Sequence, residues 1–226
     1  MSREREKHIP YYVVLDALKQ SQGCFLCSLE AQSLDNYFET LLYEHVNDPD
    51  VRKNLKISAG YCNRHASRLV KQGDSFGTSI LYSDHVERFL DEIENLIVSR
   101  RRSEKTKREI WCNHVGCPAC SFQFETRRRH IEVFTEWFDE SEMLDAFHKG
   151  TGMCIPHFFD AYFSLTKKEK REQLCSIVRK KYEELRDDLR ELQRKNNWRF
   201  SREPVGKERD SWKRAVDFVA GGEGLF

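Results

Sequence analysis

Gly23-Cys24-Phe25-Leu26-Cys27 is the stretch that decides the fold, because it recurs 93 positions later as Gly116-Cys117-Pro118-Ala119-Cys120. A second motif, Gly60-Tyr61-Cys62-Asn63-Arg64-His65, recurs 92 positions later as Gly152-Met153-Cys154-Ile155-Pro156-His157. Both motifs keep their order, and a single inserted residue accounts for the different offsets. The chain is therefore an internal duplication, a feature that governs the architecture before any single element is considered.

The segments between these motifs have the spacing of amphipathic helices, with apolar residues every three or four positions. The offset of 92 also relates six pairs of apolar residues: Val51 and Met143, Leu55 and Phe147, Val86 and Val178, Leu90 and Tyr182, Ile93 and Leu185, and Ile97 and Leu189. The alternation typical of strands is missing from the sequence. We predict an all-α protein of two pseudo-symmetric helical repeats, each stapled by a metal site. We expect the following organisation: an N-terminal helix in 1–22, a first repeat in 23–110, a second repeat in 111–196, and a C-terminal extension with a helix in 197–226.

The duplicated motifs carry the residue types and the spacing of a metal site. A Cys-x2-Cys turn aims two thiolates at one point, and a Cys and a His three positions apart on a helix share one face. Two ligands from each motif complete a tetrahedral Cys3His site. We predict two metal ions per chain, bound by these residues: Cys24, Cys27, Cys62 and His65 in the first half, and Cys117, Cys120, Cys154 and His157 in the second. An exchange between halves, with Cys24 and Cys27 joining Cys154 and His157, stays open.

Zinc is the metal that this ligand set favours, at two ions per chain. Iron–sulfur ligation is the alternative, since thiolates suit both metals. A thioredoxin-like redox site would need a βαβ setting, which the helical pattern does not provide. Four protein ligands leave no position for water or substrate, so we expect structural sites and no catalytic residues.

Composition restricts the function further. The chain has 226 residues and a net charge of +1, so its overall charge attracts neither nucleic acid nor an anionic membrane. No apolar run approaches the length of a membrane span, and the charged start MSREREKHIP does not resemble a signal peptide. We therefore expect a cytoplasmic protein. In that compartment eight cysteines favour metal binding over disulfides.

Two arginine runs, at 100–102 and 127–129, leave nucleic-acid binding as a lower alternative to a solvated surface. Cys112 and His114 precede the second Cys-x2-Cys motif, and we expect them to be packed or solvated. Three aromatic residues are expected to dock the C-terminal helix: Trp198, Phe200 and Trp212.

Several segments together resemble an uncharacterised prokaryotic domain-of-unknown-function family with duplicated CxxC and CxxH halves. The segments are Cys24-Phe-Leu-Cys27, residues 41–50, Gly60-Tyr-Cys-Asn-Arg-His65, Trp198-Arg-Phe and Ser211-Trp-Lys-Arg. The resemblance covers nearly the whole chain. It implies a helical protein with paired Cys/His clusters, and it implies no particular activity or substrate. We expect a non-catalytic, zinc-binding helical scaffold that presents a surface to a protein or small-molecule partner.

Overall fold

The computed structural model describes residues 6–98, 111, 116–200 and 202–226. Within these residues the chain forms α-helices and no strand, which confirms the all-α fold. The helices are α1 (Ile9–Gln20), α2 (Phe25–Thr40), α3 (Pro49–Ile57), α4 (Asn63–Lys71), α5 (Ser75–Val98), α6 (Pro118–Glu136), α7 (Ser141–Lys149), α8 (Ile155–Ser164), α9 (Lys168–Lys195) and α10 (Ser211–Ala220). A π-helical segment, Leu41–His45, continues α2, and 3-10 segments occupy Trp198–Phe200 and Lys207–Asp210. None of the described helices combines the length and the apolar character that crossing a bilayer requires.

The helices group into two compact units. Unit 1 comprises Met1–Ala31 and Arg127–Phe226, and unit 2 comprises Gln32–Thr126. The boundaries fall inside α2 and α6, so each of these helices begins in one unit and ends in the other. The two units are groups of helices in space, and their bounds differ from those of the two sequence repeats. The boundaries of the repeats stay a prediction.

Buried aromatic rings form the core of unit 1. Phe25 at the start of α2 lies 5.1 Å from Phe134 near the end of α6, measured between ring centroids. Phe134 makes edge-to-face contacts with Phe138 at 5.4 Å and with Phe147 of α7 at 5.2 Å. Each fully buried ring stabilises the fold by about 1.5–3 kcal/mol, and the edge-to-face geometry adds to that. This cluster fixes the start of α2, where Cys24 and Cys27 lie.

The C-terminal helix α10 docks through one aromatic residue and buried polar contacts. Phe218 is buried, and its carbonyl accepts a hydrogen bond from the Tyr182 hydroxyl at 3.0 Å. The nearly buried carboxylate of Asp188 on α9 accepts from Arg214 Nη2 at 3.0 Å and from Lys207 Nζ at 3.1 Å. The expected aromatic docking was wrong for two of the three residues: Trp198 and Trp212 are 79% and 54% exposed. The helix uses its Phe218 face instead.

In unit 2, the end of α2 packs against the start of α6 through aromatic rings. Tyr37 stacks on Phe122 with centroids 4.7 Å apart, and its hydroxyl lies 3.2 Å from that of Tyr61. Phe38 meets the Tyr61 ring edge to face at 5.2 Å. These contacts bring the segment before Cys62 close to the first turn of α6. Apolar residues of α5 are exposed, among them Val86, Phe89 and Leu90.

Glu140 ties the start of α7 to α1. Its carboxylate caps α7 by accepting from Met143 N at 3.1 Å, and it also accepts from Tyr11 OH at 2.7 Å and Lys7 Nζ at 2.9 Å. Burial alone would raise the pKa of Glu140, but these donors outweigh it and lower the pKa from 4.5 to about 2. The carboxylate therefore stabilises the fold above about pH 4.5, and this contribution is lost as the pH falls towards 2.

We expect Glu140→Ala to lower the free energy of unfolding by about 1–2 kcal/mol at pH 7, the usual cost of losing an N-cap. The difference from the wild type should shrink as the pH is lowered from 5 to 2.5, because Glu140 of the unfolded chain then takes up a proton that the folded chain still excludes. Urea unfolding of both proteins at each pH measures this difference. Glu132→Ala is the control, since its exposed pair with Arg128 should contribute little. A pH-independent difference would contradict the assignment.

Candidate metal centres

Eight cysteine and histidine side chains form two groups, each of which could hold one metal ion. Site 1, in unit 1, contains Cys24, Cys27, Cys154 and His157, and site 2, in unit 2, contains Cys62, His65, Cys117 and Cys120. Within each site, the sulfur and nitrogen atoms that could bind an ion all lie within 4.8 Å of one another. All eight residues singled out in the sequence thus fall into one of two compact quartets.

Our pairing of the motifs within each half was wrong, and the exchange between halves is confirmed. Each site takes its Cys-x2-Cys motif from one half and its Cys-x2-His motif from the other. Helix α2 begins at Phe25, directly after Cys24, and its 16 residues carry the chain about 24 Å, from unit 1 into unit 2. Helix α3, with nine residues, and the Cys-x2-His motif that follows it both lie in unit 2. The two motifs of the first half therefore belong to different units.

Both Cys-x2-His motifs sit at the start of a helix. Cys62 and Cys154 are the N-cap residues of α4 and α8, and each carbonyl accepts a helical hydrogen bond at 2.8 Å. Two positions before each cysteine, Gly60 and Gly152 adopt φ values of 92° and 107°, which favour glycine. The Cys-x2-Cys motifs likewise open α2 and α6. Two helix N-termini, each with a partial charge of about +0.5, therefore meet at each site and favour thiolates.

The distances between ligand atoms match one tetrahedral ion. In site 1, the Sγ atoms of Cys27 and Cys154 are 3.6 Å apart, and His157 Nδ1 lies 3.1–3.4 Å from all three sulfurs. In site 2, the Sγ atoms of Cys62 and Cys120 are 3.7 Å apart, and His65 Nδ1 lies 3.2–3.7 Å from its three sulfurs. Bonds of about 2.3 Å to sulfur and about 2.0 Å to nitrogen give tetrahedral edges of about 3.8 and 3.5 Å.

A bound cation would stabilise the thiolate forms of the cysteines in site 2. Burial and the negative charges of Cys117 and Cys62 raise the pKa of Cys120 to about 12, because crowded thiolates repel one another. A divalent cation at the centre would reverse this repulsion. Burial, and then the charge of Arg64, lower the pKa of His65 to about 4. The imidazole is therefore neutral at pH 7, the form that ligates metal.

A buried ion pair stands behind the histidine of site 1. His157 Nε2 lies 2.5 Å from Glu30 Oε1, and Glu30 is only 1% exposed. Arg127 donates two hydrogen bonds to the same carboxylate, from Nε to Oε1 at 2.7 Å and from Nη2 to Oε2 at 3.0 Å. The carboxylate thus fixes a proton on Nε2 and leaves Nδ1 as the ligand atom, the usual second contact of a metal-binding histidine.

Site 2 has an amide at the position where site 1 has this carboxylate. Gln123 stands 93 positions after Glu30, three residues beyond the second cysteine of its motif, and it is buried. The Gln123 side chain acts to raise the pKa of His65 and so partly offsets the effect of burial. Among the described residues, His65 Nε2 has no hydrogen-bond partner of ordinary geometry. The residue matching Arg127 at the same offset is Leu34. The two sites therefore share their ligands and differ in the charge around them.

The tail after α10 closes over site 1. The backbone N–H of Gly222 donates to Cys27 Sγ at 3.2 Å, and the Leu225 carbonyl accepts from Arg127 Nη2 at 3.0 Å. The Phe226 ring lies 4.0 Å from the Arg127 guanidinium and 5.1 Å from the His157 ring. The tail thereby shields one thiol and the histidine from solvent.

Sequence reasoning missed the residues around the ligands. Arg127 belongs to the run at 127–129, for which we weighed nucleic-acid binding, yet it pairs with Glu30, and Arg128 pairs with Glu132 at 2.8 Å. Extending the offset of 93 by three residues beyond each Cys-x2-Cys motif would have singled out Glu30 and Gln123. The arginine run at 100–102 lies outside the described residues, as do Cys112 and His114.

Comparisons with known proteins identify a family and name no activity. The chain is similar to an "Uncharacterized 23.9 kDa protein in xynA 3'region" of Caldicellulosiruptor sp. (strain Rt8B.4). The two are 27% identical over 199 residues, which cover 88% of this chain and 95% of that relative. No solved structure shows significant similarity. Residues 5–224 match a family of unknown function, DUF6062, and the chain therefore belongs to that family.

Proposed function

We propose that this chain is a zinc-binding helical scaffold protein of the cytoplasm with one structural zinc ion in each site. The observation that carries the proposal is the meeting of two complete Cys3His quartets, each with its ligand atoms within 4.8 Å of one another. Buried cysteines with one histidine are the ligand set of structural zinc sites. Unbridged thiols suit a reducing compartment.

A single ion fits the sites better than an iron–sulfur cluster. A cluster binds its protein ligands to different irons, so those ligands lie farther apart than the ligands of one ion. Separations of 3.6 and 3.7 Å between sulfurs are those expected around one tetrahedral centre. Zinc is the ordinary occupant of such a centre, and mononuclear iron is the competitor that metal analysis must distinguish.

A structural role follows from the closed ligand shell. Three thiolates and an imidazole occupy all four positions of a tetrahedral zinc ion, which leaves none for a substrate or an activated water. Each zinc would instead join a motif of one half to a motif of the other. The exposed apolar residues Val86, Phe89 and Leu90 on α5 support a scaffold that meets a partner, since exposed apolar patches commonly mark interaction surfaces.

Freshly purified full-length protein should be colourless and should contain two zinc ions per chain by elemental analysis. Replacement of zinc by cobalt should give the strong visible bands of tetrahedral thiolate coordination at both sites. The variant Cys175→Ser, which changes a thiol outside the sites, should keep both ions. A brown protein containing iron and sulfide, or a protein with less than one metal ion per chain, would overturn the proposal.

A further inference from the structure

The two sites differ in how well their sulfur atoms are shielded from solvent. All four ligand residues of site 1 are buried, and the most exposed of them, Cys27, keeps only 8% of its surface. In site 2, Cys117 and His65 are buried, whereas Cys62 and Cys120 are half-buried. Two of the three thiols of site 2 are therefore within reach of a small solute.

The shielding follows from different neighbours at matching positions. Cys27 accepts the N–H of Gly222, and a Cβ atom on Gly222 would stand 3.2 Å from the Cβ of Cys27, so the tail packs directly on this thiol. Cys120 is the repeat counterpart of Cys27, and its neighbour is Arg64, whose Nη2 lies 3.9 Å from the sulfur. The Cys27 sulfur is therefore covered by the backbone of Gly222, whereas the Cys120 sulfur lies beside the side chain of Arg64.

The surroundings of site 2 also favour reaction and loss of metal. A bound zinc ion would hold Cys120 as a thiolate, the nucleophilic form of cysteine, and the guanidinium of Arg64 lies 3.9 Å from its sulfur. His65 has Gln123 nearby, where His157 has the carboxylate of Glu30. An outer carboxylate commonly strengthens metal binding by about 10–100-fold, so site 2 should hold its ion less tightly than site 1.

We propose that Cys62 and Cys120 are a modification site at which a small peroxide oxidises the two thiolates to a disulfide and releases zinc from site 2. Their sulfur atoms lie 3.7 Å apart, so a short movement of either side chain brings them to a bond of about 2 Å. This inference rests on the proposed function, since it requires zinc at both sites.

The reaction balances with hydrogen peroxide as the oxidant. The Cys120 thiolate attacks one peroxide oxygen, the O–O bond breaks, and the sulfur becomes a sulfenic acid while the leaving hydroxide takes up a proton to form water. The Cys62 thiolate then attacks that sulfur, the S–O bond breaks, and a second hydroxide leaves and is protonated. The two sulfurs lose two electrons and the peroxide gains two. Zinc keeps its charge and leaves, because only Cys117 and His65 remain as ligands.

The test uses the full chain carrying Cys112→Ser and Cys175→Ser, so that every remaining thiol belongs to a site. Metal analysis before oxidation must find two zinc ions, and failure at that point would refute the proposed function itself. Hydrogen peroxide should then release one zinc ion, detected with a zinc-binding dye. Peptide mapping should find a disulfide between Cys62 and Cys120, and a thiol reductant with added zinc should reverse the change.

Two results would overturn this inference while leaving the proposed function intact. One is the release of both zinc ions at the same rate, and the other is retention of both ions with Cys62 and Cys120 unmodified. Arg64→Gln should slow the release about fivefold, the effect of removing a charge about 4 Å away in water. Lys53→Gln, which removes an exposed cation of the same unit, should leave the rate unchanged. An unchanged rate in Arg64→Gln would refute Cys120 as the attacking thiolate.

Discussion

The double variant Cys24→Ser/Cys154→Ser should retain one zinc ion per chain, and Cys24→Ser/Cys62→Ser should retain none. The first pair removes two ligands from site 1 and leaves site 2 complete, although the two cysteines belong to different halves of the sequence. The second pair removes one ligand from each site, although both cysteines belong to the first half. Pairing within each half would give the opposite result for the two variants.

The same variants should differ in stability as well as in metal content. Structural zinc contributes about 10–16 kcal/mol of binding free energy in small zinc modules, so a unit that loses its ion should lose most of its helical structure. We expect circular dichroism to show partial loss of helix in Cys24→Ser/Cys154→Ser and much larger loss in Cys24→Ser/Cys62→Ser. Elemental analysis of both proteins gives the metal count. Equal zinc contents in the two variants would contradict the pairing across halves.

The helical fold could be predicted from the sequence because its main signals are local. Apolar residues at helical spacing predicted α9, and the C-terminal helix predicted within 197–226 is α10. Burial was harder to predict. Val178 on α9 is buried, while Val86 at the matching position on α5 is 60% exposed. The same apolar pattern is therefore buried in one repeat and exposed in the other.

The spacing of the cysteines and histidines predicted which residues form the sites, but it did not predict which motifs share a site. Spacing identifies Cys-x2-Cys and Cys-x2-His as pairs, but the choice of partner depends on how far the intervening helices carry the chain. Helix α2 carries the chain from unit 1 into unit 2, so the two motifs of the first half end in different units. The carboxylate behind His157 was missed because a single Glu30 has no motif of its own. Its importance comes from burial and from contact with Arg127, which lies 97 residues away.

Glu30→Gln should weaken zinc binding at site 1 by about 10–100-fold, the usual effect of losing an outer carboxylate. Glutamine retains an oxygen that can accept from His157 Nε2, so the variant tests the charge of the carboxylate. It also leaves the guanidinium of Arg127 beside a neutral amide in a largely buried place. Breaking a buried ion pair in this way costs about 3–5 kcal/mol. Chelator competition measures the affinity, and urea unfolding of the zinc-loaded protein measures the stability.

The stability lost in Glu30→Gln should be partly restored by a second substitution, which the sequence duplication suggests. At the matching positions, the chain carries Gln123 and Leu34 in place of Glu30 and Arg127. The double variant Glu30→Gln/Arg127→Leu therefore gives site 1 the residues found at those positions in the other repeat, and it removes the unpaired charge. It should regain at least half of the stability lost in Glu30→Gln, while zinc binding stays weak because the carboxylate is still missing. A double variant no more stable than Glu30→Gln would show that the unpaired guanidinium is not the cause of the loss.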